Sequence, residues 1–231
     1  MVRAYFKKRR TGKDHVRWLK AQAFKEYSAI KPLLTGLVKL YPYLDKDVDR
    51  HQYEELEEKL ADETKHARLI MDLLEEILGR KVTPKDLLWL PEDKRLAQVR
   101  ARYSRTYAVL LHGSGKVTSK GIRRKDEELE RAAIILTEGG GGALYKVVSR
   151  INSGRKIAAA FKEIYLDEMK HKNTGFEALA GLVKTNRDYE RAAQIVHAVS
   201  GQRLRMRNEQ FGFSLTERAM RKIEARLARD A

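Results

Sequence analysis

The sequence predicts an all-α chain, and three observations carry that prediction. Only four of its 231 residues are proline. Apolar residues recur at spacings of three and four over long segments, the period of one helix face. No segment alternates apolar and polar residues as a half-buried strand would. The expected architecture is a bundle of four long helices with additional helices attached.

The elements follow in order. Asp14 is placed to cap a first helix through Trp18, Leu19, Ala23 and Ile30, with a bend at Pro32 and an end near Tyr41-Pro42. A second starts between Asp47 and His51 and stops at Gly79, with the stripe Leu56, Leu60, Glu63, Ala67, Ile70, Leu74 and Ile77. Thr83-Pro84 opens a short segment, residues 92–111 form a further helix, and His112 to Lys125 is a Gly/Ser/Lys loop. A third long helix is expected from Asp126 to about Asn152. A fourth runs from Arg155 to about Val183, with the stripe Ile157, Phe161, Ile164, Glu168, His171, Gly175 and Leu182. Residues 188–199 suggest a shorter helix. Ser214-Leu-Thr-Glu217 has capping-box spacing for a final one. The division expected is residues 1–200 for the bundle and 201–231 for a basic C-terminal helix.

Composition narrows the chemistry. The absence of cysteine excludes disulfides, thiolate metal sites and a cysteine nucleophile. Any metal must be held by His, Asp and Glu. No apolar run reaches the roughly 20 residues of a membrane span, and the basic N-terminus lacks the apolar stretch of a secretory signal. A cytoplasmic protein is the simplest expectation. The formal charge is +16, concentrated at residues 1–20, which carry eight Lys/Arg and one acid, and at residues 201–231, with eight against four. Lys116, Lys120, Arg123, Arg124 and Lys125 add a basic loop. Such charge suits nucleic acid, an anionic surface or an acidic protein, or merely a solvated surface.

Charged residues interrupt the two strongest stripes: Glu63 lies between Leu60 and Ala67, and Glu168 and His171 between Ile164 and Gly175. An unpaired buried carboxylate costs several kcal/mol, so either these acids reach water or something positive sits among them. Residues 62–66 read Asp-Glu-Thr-Lys-His and residues 167–171 Asp-Glu-Met-Lys-His. One pattern, D-E-x-K-H, is thus written twice, 105 residues apart. Glu and His three residues apart project from nearly the same helix face and can ligate one ion. Carboxylates from two other helices would complete a dinuclear site. Glu26 is the only acid between Asp14 and Asp45, and Glu138 ends the apolar run Ala132 to Thr137. The competing readings are an exposed acid for Glu26 and a helix-end acid before a glycine loop for Glu138.

The order Glu26, Glu63/His66, Glu138, Glu168/His171 resembles the ferritin-like di-iron carboxylate proteins, over roughly residues 14–185. The resemblance implies a four-helix bundle, a Glu4His2 site for two iron ions with manganese as competitor, and O2 as co-substrate. The doubled motif is similar to the D-E-x-R-H of the oxygen-activating monooxygenase branch, which makes Asp62 and Asp167 the partners that orient the histidines. Asp167 to Gly175 looks like the D-E-x-x-H-x-N-x-G stretch of aldehyde-deformylating oxygenases, where a tyrosine also follows the third-helix Glu by seven residues, as Tyr145 follows Glu138 here.

The implied activity is that of an O2-dependent oxidase or monooxygenase on a small apolar organic substrate, with an acidic electron-transfer protein as donor. The alternatives are a ferroxidase without organic substrate and a tRNA-modifying di-iron hydroxylase, for which nucleic acid is the partner. A homodimer is an expected assembly. The run Gly139 to Gly142 reads as a side-chain-free space for substrate or as a turn dividing two helices. Tyr145 reads as a ligand partner or redox-active phenol, or as a packing residue.

Overall fold

A computed structural model describes residues 1–46, 48–103, 124–151, 154–171 and 174–230. These residues are helical and contain no strand, only an isolated bridge between Leu44 and Val48. Among them no helix is long and apolar enough to cross a membrane.

The short helix α1 (Val2–Phe6) precedes α2 (Gly12–Leu40). Thr11, not Asp14, is the N-cap of α2. Asp14 sits at the third helical position and reaches back, its Oδ2 accepting from the Thr11 N–H at 2.6 Å and the Thr11 hydroxyl at 2.8 Å. Pro32 lies inside α2 without ending it. Asp49 caps α3 (Arg50–Leu78), and Gly79 stops it with φ of 66°, a left-handed conformation that favours glycine. A 3-10 turn at Pro84–Asp86 leads to α4 (Pro91–Tyr103). The expected end of that helix at 111, and most of the basic Gly/Ser/Lys loop, lie outside the described residues.

The expected third helix is divided: α5 (Arg124–Leu136) ends in a 3-10 turn over Thr137–Gly139, and α6 (Gly140–Arg150) starts within the glycine run. The interruption is a single 3-10 segment ending at Gly139, and Gly140, Gly141 and Gly142 are helical despite their low helix propensity. The expected fourth helix is α7 (Arg155–His171) followed by α8 (Thr174–Leu182), with residues 172–173 outside the description. The short helix expected at 188–199 is instead α9 (Asn186–Gln210), capped by Thr185 and uninterrupted across position 200. The last helix, α10 (Glu217–Asp230), starts later than the Ser214 spacing implied. Thr216 Oγ1 accepts from the Ala219 N–H, while the Ser214 hydroxyl donates to the Met1 carbonyl at 3.1 Å.

Among the described residues the most extensive pairings are α2 with α3, α6 with α7, α9 with α4 and α5, and α5 with α8; α3 also meets α7. One apolar core gathers Trp18, Leu19, Ile70, Leu74, Val148, Phe161, Ile164 and Phe211. A second joins Leu96, Leu129, Ile134, Ile195 and Val199. Burying such side chains stabilises by roughly 1.5–3 kcal/mol each. The polar and charged residues considered next sit along α2, α3 and α7, in the 3-10 turn before α6, and at Tyr145 of α6.

Candidate metal centre

Glu26 is placed by the buried stripe of α2, which runs His15, Trp18, Gln22, Glu26. The carboxylate is 4% exposed. Its Oε1 accepts from the Gln22 amide one turn back and from the Tyr145 hydroxyl at 2.9 Å. Gln22 also donates to the Tyr145 oxygen at 3.1 Å. The other oxygen, Oε2, faces His66 Nδ1 at 3.7 Å.

His66, on α3, is buried between two carboxylates. Its Nε2 lies 3.2 Å from Asp167 Oδ2, on α7. Its Nδ1 is a buried nitrogen that has no hydrogen-bond partner among the described residues. With one ring nitrogen engaged by Asp167, the other is directed at Glu26 and Glu63. Ligand atoms of Glu26, Glu63 and His66 all lie within 4.8 Å of one another, and so do those of Asp62, His66 and Asp167.

The electrostatics of this group follow from burial. Burial opposes charge on Glu26, but the His66 imidazole, the Glu63 carboxyl and the Gln22 amide hold its pKa down to about 2. Burial, and then the Glu26 charge, push Glu63 well above the usual carboxylate range. The two acids oppose each other's charge, so Glu63 is raised while Glu26 is held down. Burial opposes charge on His66 too, yet Glu26 and Asp167 raise its pKa. Burial and the Tyr145 neighbours Glu26 and Glu168 push that phenol well above its ordinary value.

The remaining expected ligands are placed differently. Glu168 follows Asp167 on α7. Burial and the nearby charge of Glu26 raise its pKa, although it joins neither of the two close groups. Glu138 sits in the 3-10 turn between α5 and α6. Its Oε1 accepts from Arg100 at 3.0 Å and Arg203 at 3.4 Å, and its Oε2 lies 3.6 Å from Lys59. Burial opposes its charge, and these three cations hold its pKa at about 2. His171 closes α7, but its side chain lies outside the described residues.

Several contributors escape the sequence reading. Lys65 reaches Asp167, and lies 3.8 Å from Asp62 and 4.0 Å from Glu163. It is the lysine of the doubled motif, so its signal was present in the repeat itself. Gln22 is marked by its one-turn spacing from Glu26. Arg100 and Arg203, far away in sequence, carry no such mark. Gly141 lies against Tyr145, where an added Cβ would meet the ring at 3.5 Å, whereas a Cβ at Gly142 would meet nothing within 4 Å.

The buried Glu26, the half-buried Glu63 and an imidazole nitrogen unpartnered among the described residues lie mutually close, a donor set of the oxygen and nitrogen type that divalent iron, manganese or zinc accepts. No family model, curated protein or solved structure matches the chain.

Proposed function

We propose that the chain is a ferritin-like di-iron oxidoreductase that uses O2 to oxidise a small apolar organic substrate. The observation that carries this reading is His66: buried, held by Asp167 through Nε2, and presenting an orphaned Nδ1 to Glu26 and Glu63. Glu26, Glu63 and His66 would hold one ion. Glu168, Glu138 and His171 are the candidates for a second.

When bound, reduced iron would supply the electrons and open coordination positions for dioxygen chemistry. The chain's own residues do the rest. Asp167 fixes the ring orientation of His66, and Lys65 fixes Asp167. Tyr145 and Gln22 orient Glu26 by donating to one oxygen, which leaves the other directed at His66. The apolar residues of α2, α3 and α7 exclude water from the group. Support for an acidic electron-transfer partner comes from a surface hollow of about 450 Å³ between α1 and α6, where Arg3, Lys7, Lys146 and Arg150 surround Phe6.

Glu138 favours one second reading. Its carboxylate is engaged by Lys59, Arg100 and Arg203, as a structural ion pair would be. In that case a single ion sits at Glu26, Glu63 and His66. Anaerobic titration with Fe(II), followed by O2 and optical spectroscopy, tests both. About two irons per chain with an oxo-bridged absorption supports the dinuclear reading, one supports the mononuclear reading, and none removes both.

A further inference from the structure

The candidate centre is joined to the aromatic core by a run of ring contacts. The Tyr145 hydroxyl donates to Glu26 at 2.9 Å. The Tyr145 ring lies 5.9 Å, centre to centre, from Phe161, and Phe161 lies 5.3 Å from Trp18. All three rings are at most 5% exposed. At Trp18 the run acquires a proton acceptor. The indole N–H donates to His15 Nδ1 at 3.1 Å, and His15 is itself buried.

We propose that Trp18 is a redox-active residue that drains oxidising equivalents from the candidate centre. This rests on the oxygen-activating reading given above. With metal bound, a dioxygen-derived one-electron oxidant at the centre would take one electron from the Trp18 indole across the Phe161 and Tyr145 rings. The indole N–H bond breaks, its proton forms a bond to His15 Nδ1, and a neutral indolyl radical and an imidazolium remain. The oxidant is reduced by one electron. The equivalent then rests about two turns along α2 from Glu26, instead of attacking the ligands.

Trp18 and Tyr145 are the two oxidisable rings of this run; Tyr145 donates to the candidate ligand Glu26 and relays the equivalent, and Trp18 holds it farther from the ligands. Indole and phenol lose an electron far more readily than benzene rings, so Phe161 serves only as a bridge. A positive indole in an apolar core is costly, and loss of its proton removes that cost. Burial and the nearby Arg10 keep His15 below the usual histidine range, so its Nδ1 is free to accept. The Tyr5 oxygen, 3.3 Å from the same nitrogen, is placed to accept from the imidazolium once it forms. Tyr5 is a poor resting place for the radical. Its hydroxyl donates to the Asp14 peptide oxygen at 2.7 Å, which cannot take a proton, and the Arg10 guanidinium lies 3.6 Å over its ring.

The absence of native cysteine allows one photo-oxidant to be attached at a single introduced position. A ruthenium polypyridyl label on Lys146→Cys, in the metal-free full-length chain carrying Trp89→Phe, would be oxidised by flash-quench. Transient absorption and electron paramagnetic resonance should show a neutral tryptophan radical, lost with Trp18→Phe. His15→Phe keeps the indole and an aromatic ring, and should convert the signal from the neutral to the protonated radical. Absence of a tryptophan radical in the Trp89→Phe chain overturns the proposal, as does an unchanged signal after Trp18→Phe. A neutral radical persisting in His15→Phe overturns the assigned proton transfer. None of these readouts needs iron, so a failure here is distinct from failure of Fe(II) to bind, which the metal titration reports by itself.

Discussion

His66 of the first D-E-x-K-H motif and Asp167 of the second meet across the α3–α7 interface, with Nε2 3.2 Å from Oδ2. The repeat therefore works as a clasp, since the lysine of the first copy, Lys65, also reaches Asp167. Each copy is meaningful only beside the other. One ring nitrogen of His66 is occupied by this contact, and the other turns toward Glu26 and Glu63.

Metal binding should follow that division of labour. Glu63→Ala and His66→Ala remove ligands and should abolish high-affinity Fe(II) or Mn(II) binding. Asp167→Asn leaves the ligands in place but weakens the hold on the His66 ring, and should lower affinity by about 10–100-fold. Isothermal titration under anaerobic conditions distinguishes the classes. Equal affinity in wild type and Asp167→Asn would show that the clasp does not orient a ligand.

Binding should also release protons. Glu63 and His66 both have raised pKa values in the metal-free chain, and both must give up a proton to ligate. Affinity should thus rise with pH through neutrality, and apparent enthalpies should depend on the ionisation enthalpy of the buffer. Without metal the sign for stability is opposite. Because the folded pKa of Glu63 is raised, the stability linked to its proton is full below its unfolded value and is lost as pH rises through the folded value. Metal should offset that loss, which thermal unfolding against pH, with and without Mn(II), can read.

Glu138 makes a separate prediction. Its pKa of about 2 reflects Lys59, Arg100 and Arg203 overcoming burial. The stability it contributes is present above its unfolded pKa and lost as pH falls through about 2. Glu138→Gln leaves three cations without this partner and should destabilise the metal-free chain at pH 7 by about 1–3 kcal/mol. Denaturation in urea checks this. A neutral effect on the metal-free chain, joined to loss of one metal equivalent, would identify Glu138 as a ligand alone.

These residues also mark what the sequence could and could not convey. The doubled motif and the lone acid Glu26 stand out because charge on an apolar helical stripe demands a partner, and the structure brings Glu26, Glu63, His66 and Asp167 together. The helix starts behind Thr11 and Thr216 are harder to read, since Asp14 and Ser214 compete for the same caps in sequence. The extent of α9 was underestimated because its last turns, Arg203 to Gln210, are polar in sequence. Their burial comes from contacts with α2: Arg207 donates to Gln22 at 2.7 Å, and Gln210 donates to the Trp18 carbonyl at 3.3 Å and to Gln22 at 3.0 Å. The cations on Glu138 arrive by the same long-range packing, which local periodicity does not encode.

The glycine run separates packing from access most directly. Its first residue, Gly139, closes the 3-10 segment that divides α5 from α6, while Gly140 already opens α6. Gly142 lies within α6, at a negative φ, where a Cβ would meet nothing within 4 Å among the described residues. Gly142→Ala should therefore stabilise the fold by about 0.4–1 kcal/mol, chiefly by restricting the unfolded chain. Gly141→Ala adds an ordinary contact with Tyr145 and should be close to neutral in stability. If the space beside Tyr145 admits substrate, these variants should fold at least as well as wild type, bind metal equally, and yet show a raised KM. Unchanged kinetics in a stabilised Gly142→Ala would assign the run to the turn and remove it from the substrate path.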